Sequence, residues 1–393
     1  MGRLADGRAV FVPYTLPGER ALVRLVEEKR GHARGELVEL LQAAPQRISP
    51  RCPHFGLCGG CHYQHIPYEA QLAYKKDILR DQLERIGGLK NPPISTAIGS
   101  PLAFNYRNYV QFHLSAEGRL GFQAARQNQV IPIIECHLPE AALNQVWPLF
   151  DFEPVPGVDR VGLRLGADED ILLVLEGSEP EPIEFSVEEL DISAVQLGPG
   201  GALVLAGSEA LRMEVLGRSF QVSAGSFFQV NTAMAEAMVN HLLELLPVLK
   251  TSTLLDVYSG VGLFSAFFAD RVERLVAIEV EPSACQDYVV NLDEFDNVEL
   301  YEAPAEVVLG SVDFHPDAII VDPPRAGLEG AALDGLLRQH PKWLAYVSCD
   351  PATLARDVRR LAAGGYELVQ VMPFDLFPQT YHVETISLFE KSN

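Results

Sequence analysis

Basic residues are scarce in this chain: 31 Lys and Arg stand against 53 Asp and Glu in 393 residues, a net charge of −22. That balance excludes a protein whose whole surface coats a polyanion. No run of about 18 apolar residues occurs, so no membrane span is expected. The N-terminus, MGRLADGRAV, has no apolar segment of the secretory kind, so a cytoplasmic, reducing setting is expected. Only six cysteines are present. In such a setting, clustered cysteines bind metal or do chemistry more often than they form disulfides. The remaining composition, 48% hydrophobic and 21% charged, is that of an ordinary globular protein, long enough for two or three domains.

The few cations gather at one end. Residues 1–130 hold 17 Lys and Arg against 11 Asp and Glu, a net of +6, and residues 131–393 hold 14 against 42, a net of −28. A basic front on an acidic body suits a protein that touches a polyanion with one part only. Ordinary variation between solvated surfaces gives the same numbers.

Along the chain, residues 9–41 alternate in short strands around a Pro17-Gly18 turn, the pattern of a small β-barrel. Residues 45–67 are loop-like and cysteine-rich, and 68–86 have helical periodicity ended by Gly87-Gly88. Residues 106–135 and 158–176 alternate like antiparallel strands, and 177–191, rich in Glu and Pro, read as a solvated connection. From about residue 216 a helix (231–249) leads into apolar strands separated by helical stretches. That is the signature of an α/β fold with a mostly parallel sheet and helices on both faces. Ligands in such sheets bind at the carboxyl ends of the strands, where Asp256 to Gly262, Glu279, Asp322 and Cys349 all fall.

Each of these positions carries chemistry. D-V-Y-S-G-V-G (256–262) is a strand followed by a glycine turn, and Gly260 and Gly262 would let backbone approach a ligand. Ser265 stands where a dinucleotide fingerprint has its third glycine, so no pyrophosphate cradle is formed. Glu279, 23 residues after Asp256, can accept two ribose hydroxyls. Together they favour S-adenosylmethionine over NAD, against the plainer reading of a tight turn in some other α/β protein. D-P-P-R-A-G (322–327) makes a rigid corner that presents Asp322, or simply terminates a strand.

Cys349, in V-S-C-D-P, meets polar residues at a strand end, where a thiolate can add to C6 of a uracil and make C5 nucleophilic towards a methyl sulfonium. A base must then remove the C5 proton, and Glu384, in H-V-E-T-I flanked by apolar residues, is the candidate. Taken singly, Cys349 reads as a buried filler and Glu384 as a paired or solvated carboxylate; their presence together with D-P-P-R favours chemistry. Cys52, Cys58 and Cys61 form a C-x5-C-x2-C run that signals a metal site, with Cys136 as the best fourth ligand because Cys285 falls in an expected helix. Spacing separates zinc from a 4Fe–4S cluster poorly, and His54, His62, His65 and His137 keep a zinc site of three cysteines and one histidine open.

F-V-P-Y-T-L-P-G-E, C-P-H-F-G-L-C-G-G-C, Y-R-N-Y-V-Q-F, S-F-F-Q-V-N, D-V-Y-S-G-V-G-L-F, D-P-P-R-A-G, V-S-C-D-P and H-V-E-T, in that order, resemble the bacterial RNA uracil-5-methyltransferases over nearly the whole length. The resemblance implies S-adenosylmethionine held by Gln229, Tyr258, Glu279 and Asp322, Cys349 as nucleophile and Glu384 as base. For the rRNA branch it implies a 4Fe–4S cluster on Cys52, Cys58, Cys61 and Cys136, in a rigid folding or RNA-docking role. The implied substrate is a uridine of 23S rRNA; a tRNA uridine is the alternative, and an inactive RNA-binding iron–sulfur protein is a second one. No obligate protein partner is implied.

The expected fold is a Rossmann-like class I methyltransferase domain (216–393) preceded by three parts. These are a partial TRAM, OB-like barrel (1–43) that begins at about the second strand of its kind, an iron–sulfur loop and helix (44–92), and a β-rich RNA-facing domain (93–215). Leu263 and Asp350 stand where relatives often carry Asn.

Overall fold

The structure, a computed structural model, describes every residue except 126, 151, 153–156, 179–191 and 393. At the N-terminus, β1 (Gly2–Arg3), β2 (Ala9–Phe11), β3 (Arg20–Glu28) and β4 (His32–Gln42) form a sheet in the order β1-β2-β4-β3, with β2 parallel to β4. Along β3 half-buried and exposed residues alternate strictly, as in a one-sided sheet. The expected partial barrel thus takes the form of an open four-stranded sheet. Its anchor is Glu19, 1% exposed, whose carboxylate accepts from Arg47 Nε at 2.6 Å and from the Leu16 backbone N–H at 2.8 Å. The Arg47 hydrogen bond, foremost, holds the Glu19 carboxyl down at about 2.

The cysteine-bearing loop runs into α1 (Tyr68–Arg85). Gly88 ends that helix with φ +74°, a left-handed conformation that glycine adopts at little cost. The helix buries Leu79 and Leu83 against the C-terminal sheet's helical layer.

A central sheet follows: β5 (Tyr109–Leu114), β6 (Leu120–Gln123), β7 (Val130–Pro132), β8 (Val158–Leu165), β9 (Ile171–Gly177), β10 (Ser193–Gly198) and β11 (Gly201–Ala206), ordered β11-β10-β9-β8-β5-β6-β7. All neighbours are antiparallel except β9 and β10. Phe112, Leu163, Leu173 and Trp147 form its core, next to α2 (Ala141–Val146). The Glu/Pro-rich connection expected at 177–191 lies, from 179 on, outside the described residues. The hairpin of β12 (Ala210–Val215) and β13 (Arg218–Ser223) then leads to α3 (Thr232–Leu245), shorter at its C-terminal end than the expected 231–249.

The last sheet joins β14 (Thr253–Val257), β15 (Arg274–Glu279), β16 (Val298–Glu302), β17 (Ala318–Val321), β18 (Trp343–Ser348), β19 (Tyr366–Phe374) and β20 (Glu384–Lys391) in the order β16-β15-β14-β17-β18-β20-β19. The first five run parallel; β20 inserts antiparallel to both its neighbours. Its inner strands β14, β15, β17 and β18 are mostly apolar because both faces are covered. Leu254 faces one core with α3 and α4 (Ser265–Phe268), while Leu255 faces another with α6 (Ala305–Ser311), α7 (Gly330–Gln339) and α8 (Pro351–Ala363). α5 (Pro282–Asn291) packs on β13. Strand order reverses between β14 and β17, and the crevice beyond their carboxyl ends is where such sheets bind ligands.

Candidate active site

A cleft of about 620 Å³ opens at that switch point, lined by Gln229, Tyr258, Gly260, Glu279, Asp322, Cys349 and Glu384. Every expected cofactor or catalytic residue except Gly262 is brought there. Beyond β14 the chain turns with Tyr258 at φ +63° and Gly260 at φ +55°. The N–H groups of Tyr258 and Ser259 both donate to the Ile278 carbonyl, at 2.9 and 3.2 Å. Glu279 Oε2 accepts from the Gly260 N–H at 2.8 Å, and Oε1 from the N–H groups of Val280 (2.7 Å) and Glu281 (2.9 Å). The carboxylate is thus held rigidly at the strand end, with lone pairs left over for hydroxyl donors. Gly262 corrects the sequence reading. It does not line the cleft, and a Cβ there would be driven into Leu292 and Tyr288. Close packing of α5, not ligand approach, requires glycine at 262.

Carboxyl groups crowd the cleft. Asp256 is fully buried and accepts from Ser265 Oγ–H at 2.6 Å. Burial pushes it up to about 6, with Glu279 adding repulsion. Asp322 is pushed up to about 7 by burial first, then by Asp256 and Glu279. Glu384, 6% exposed, is pushed up to about 8 by burial and then by Asp322, while Arg325 pulls the other way.

Cys349 and Glu384 meet through strand register. β18 and β20 pair antiparallel with Ser348 opposite Thr385, so residue 349 follows one strand where residue 384 begins the other. Burial pushes the Cys349 thiol up to about 12, with Glu384 and Asp322 adding to it and Arg325 opposing. The arrangement therefore holds a neutral thiol beside a carboxyl that ionises late, and a cation nearby is what would make the thiolate accessible. Asp350 caps α8: its carboxylate accepts from the N–H groups of Ala352 and Thr353, both at 2.9 Å.

Gln229 is placed by a buried network. Asp287 on α5 accepts from Ser223 N–H (2.8 Å), Ser223 Oγ–H (2.7 Å), Ser226 Oγ–H (2.6 Å) and Gln221 Nε2 (2.9 Å). Arg164 on β8 donates to the carbonyls of Ser223 (2.9 Å) and Ser226 (2.7 Å). The turn they grip continues into Phe227, 67% exposed, and Phe228 and Gln229, all three at the cleft.

Further residues line the cleft without a role assigned from sequence, among them Phe227, Arg325, Phe377 and His382. The first two sit inside the quoted motifs S-F-F-Q and D-P-P-R, and His382 inside H-V-E-T, so adjacency was the available signal. Phe377 comes from a segment with no motif.

A second cavity, about 390 Å³, is lined by Cys52, Cys58, Cys61 and Cys136 together with His54, His62 and His137. All four cysteines are free of disulfides. Burial, with the neighbouring thiols adding to it, pushes Cys61 up to about 12 and Cys136 to about 11. The thiols line a common cavity, but no group of three or more His, Cys, Asp or Glu among the described residues is placed to hold a metal ion. The closed ligand set expected from the spacing is to that extent corrected. His65 lies off this cavity, its ring 5.4 Å from that of Phe55, and Cys285 is buried in α5. Arg325, Phe377 and His382 line both cavities. No helix among the described residues is long and apolar enough to cross a membrane.

Residues 189–392 match the family model of the tRNA (uracil-5-)-methyltransferases, and residues 1–38 match the TRAM domain. An uncharacterised RNA methyltransferase of Thermosynechococcus vestitus is 35% identical, the alignment covering 100% of this chain and 95% of the relative. One from Aquifex aeolicus is also 35% identical, over 98% and 94%. Among solved structures, the tRNA (uracil-54, C5)-methyltransferase of Pyrococcus abyssi in complex with S-adenosyl-L-homocysteine is similar with a TM-score of 0.75 at 26% identity, over 98% of both chains.

Two outcomes follow from the geometry. Gly262→Ala should destabilise the fold by about 2 kcal/mol or more through overpacking and backbone strain, whereas Gly260→Ala, whose Cβ meets nothing within 4 Å, should cost less and act mainly on ligand affinity. Thermal melts and S-adenosylhomocysteine titrations separate the two. Glu384 is neutral in the folded chain up to about 8 but ionises near 4.5 when unfolded. The folded state therefore binds the extra proton, and stability falls as pH rises from 4.5 to about 8. Glu384→Gln should flatten that decline in denaturant melts of the ligand-free protein.

Proposed function

The chain belongs to the tRNA (uracil-5-)-methyltransferase family, carries a TRAM domain and is an S-adenosylmethionine-dependent RNA methyltransferase; within that family we propose that it methylates C5 of a uridine in 23S rRNA through a covalent enzyme–RNA adduct. The observation that carries the chemistry is the strand register that sets Cys349 beside Glu384 in one cleft. Cys349 Sγ adds to C6 of the uracil, and C5 takes the methyl group from the sulfonium. Glu384 then removes the C5 proton, and the C6–S bond breaks to restore the ring. The thiol is neutral near pH 7, so its ionisation relies on Arg325 and on the positive methyl donor in place.

Gln229, Tyr258, Gly260, Glu279 and Asp322 form the proposed cofactor wall, with Glu279 accepting from the ribose. Exposed Arg20, Arg30 and Arg34 of the N-terminal sheet supply phosphate contacts. The setting is cytoplasmic.

The proposed reading includes a 4Fe–4S cluster on Cys52, Cys58, Cys61 and Cys136, supported by the four thiols that line one cavity; the side chains would have to close on the cluster as it binds. When bound, the cluster would be a rigid, non-redox staple of the loop. The cysteine motif supports rRNA as the substrate. Likeness to the Pyrococcus abyssi enzyme supports a tRNA uridine as the second reading. Mapping 5-methyluridine in rRNA and tRNA from a deletion strain decides: loss from tRNA alone overturns the rRNA assignment.

Cys349→Ala should abolish methylation and leave S-adenosylhomocysteine affinity nearly unchanged, while Glu384→Gln should accumulate an RNA–protein adduct on denaturing gels. Wild-type protein should trap 5-fluorouracil-containing RNA in the presence of cofactor; full turnover by Cys349→Ala would end the covalent mechanism. Anaerobically purified protein should be brown and contain iron and sulfide. Colourless protein carrying zinc would replace the cluster with a single ion.

A further inference from the structure

The nine residues 375–383 between β19 and β20 form neither helix nor strand, yet most of them are buried. A buried irregular segment must have its polar groups satisfied from elsewhere. Here the partners come from the opposite end of the chain. Lys75 Nζ on α1 donates to Asp375 Oδ1 at 2.5 Å, with both side chains 1% exposed, and to the Phe377 carbonyl at 3.1 Å. Gln71, also on α1, exchanges two hydrogen bonds with Gln379, each 3.0 Å. The backbone N–H groups of His62 and Tyr63 donate to the Gln379 carbonyl at 2.8 and 2.9 Å, and Tyr106 OH donates to that of Pro378 at 3.0 Å. Gln379 itself is held at φ +69°, a conformation that persists only where its surroundings impose it.

This segment ends at Val383 and delivers Glu384 into the cleft, contributing Phe377 and His382 on the way. We propose that Lys75 and Gln71 are positioning residues: from α1 they lock the 375–383 segment and so fix the aim of the Glu384 carboxylate at the C5 proton. The proposal rests on Glu384 being the base. A buried ion pair is a weak source of stability, because desolvation offsets the attraction. Its effect here is to help hold one arrangement of a segment that has no helix or strand of its own. Burial accordingly pushes Lys75 down and Asp375 up, and each is restored in part by the other.

The consequence is step-specific. Methyl transfer needs Cys349 and the cofactor wall, none of whose residues hydrogen-bonds to Lys75, Gln71, Asp375 or Gln379, whereas adduct release needs Glu384. The test uses Lys75→Met/Asp375→Leu, which removes both charges and leaves neither buried alone. Expected are wild-type S-adenosylhomocysteine binding and single-turnover methyl transfer, with adduct release slowed on the order of tenfold to a hundredfold, the scale of an ångström misplacement. Release at the wild-type rate overturns the proposal. So does a parallel loss of binding, transfer and release, which would mark a purely structural role. If the double variant fails to fold, Gln71→Ala, which leaves the ion pair intact, must show the same selective slowing; wild-type release in it is equally fatal. Glu384→Gln is run alongside, and absence of adduct in that variant would refute the base itself rather than the clamp.

Discussion

Burial of ionisable groups, with repulsion among carboxylates second, governs the cleft. Asp256, Glu279, Asp322 and Glu384 converge where five parallel strands end, and Arg325 is the cation that opposes them in the Glu384 and Cys349 environments. Each member that burial deprives of water raises the cost of ionising the next. A cleft of this kind has a deficit of positive charge, and a ligand carrying a fixed cation relieves it. S-adenosylmethionine has a sulfonium at the reacting centre and an ammonium on its tail; S-adenosylhomocysteine has lost the first. The electrostatics therefore discriminate the donor from its spent form at the group where they differ. The same cation lowers the cost of the Cys349 thiolate and of the Glu384 carboxylate. Under the proposed chemistry, charge balance would make Cys349 and Glu384 competent only in the loaded site.

Such a site needs a frame that does not yield, and three buried polar networks supply it. Glu279 is tied to the backbone of its own strand end and of the glycine turn. Asp287 and Arg164 grip the Ser223–Ser226 turn from opposite domains, one on α5 and one on β8, so the aromatic and amide groups that follow it are fixed relative to both sheets. The Lys75–Asp375 pair and the Gln71–Gln379 exchange do the same for the lead-in to Glu384. The groups named are hydrogen-bonded except Asp375 Oδ2, which is buried without a partner, so the pair fixes geometry at a cost in desolvation.

What the sequence made legible was local. The parallel sheet showed in apolar runs separated by helical stretches, and the strand-end residues Glu279, Asp322 and Cys349 fell where such sheets place ligands. Phe377 and the clamp from α1 were not legible, because their partners lie some 300 residues away and no pattern in a window of sequence encodes that pairing. For a related reason, the sequence did not show that Gly262 lies away from the cleft lining. A glycine turn shows that backbone approaches something closely, but whether that is a ligand or, as here, Leu292 and Tyr288 depends on where α5 packs. The cysteine run predicted a metal site; the four thiols line one cavity, but among the described residues they form no group placed to hold a metal ion. Coordination distance depends on side-chain placement, which spacing does not fix.

The two cavities are not independent. Arg325, Phe377 and His382 form a shared wall, and His382 is pushed down to about 4 by burial and then by Arg325, so it stays neutral beside the guanidinium. A neutral imidazole there leaves Arg325 as the local cation, free to act on Cys349 and Glu384. The cysteine loop reaches this wall directly, through the His62 and Tyr63 N–H groups on Gln379 and through the ring of His62, 4.5 Å from that of Tyr381. Tyr381 in turn lies 4.4 Å from His382. Whatever orders the loop therefore also orders the segment that carries the carboxylate.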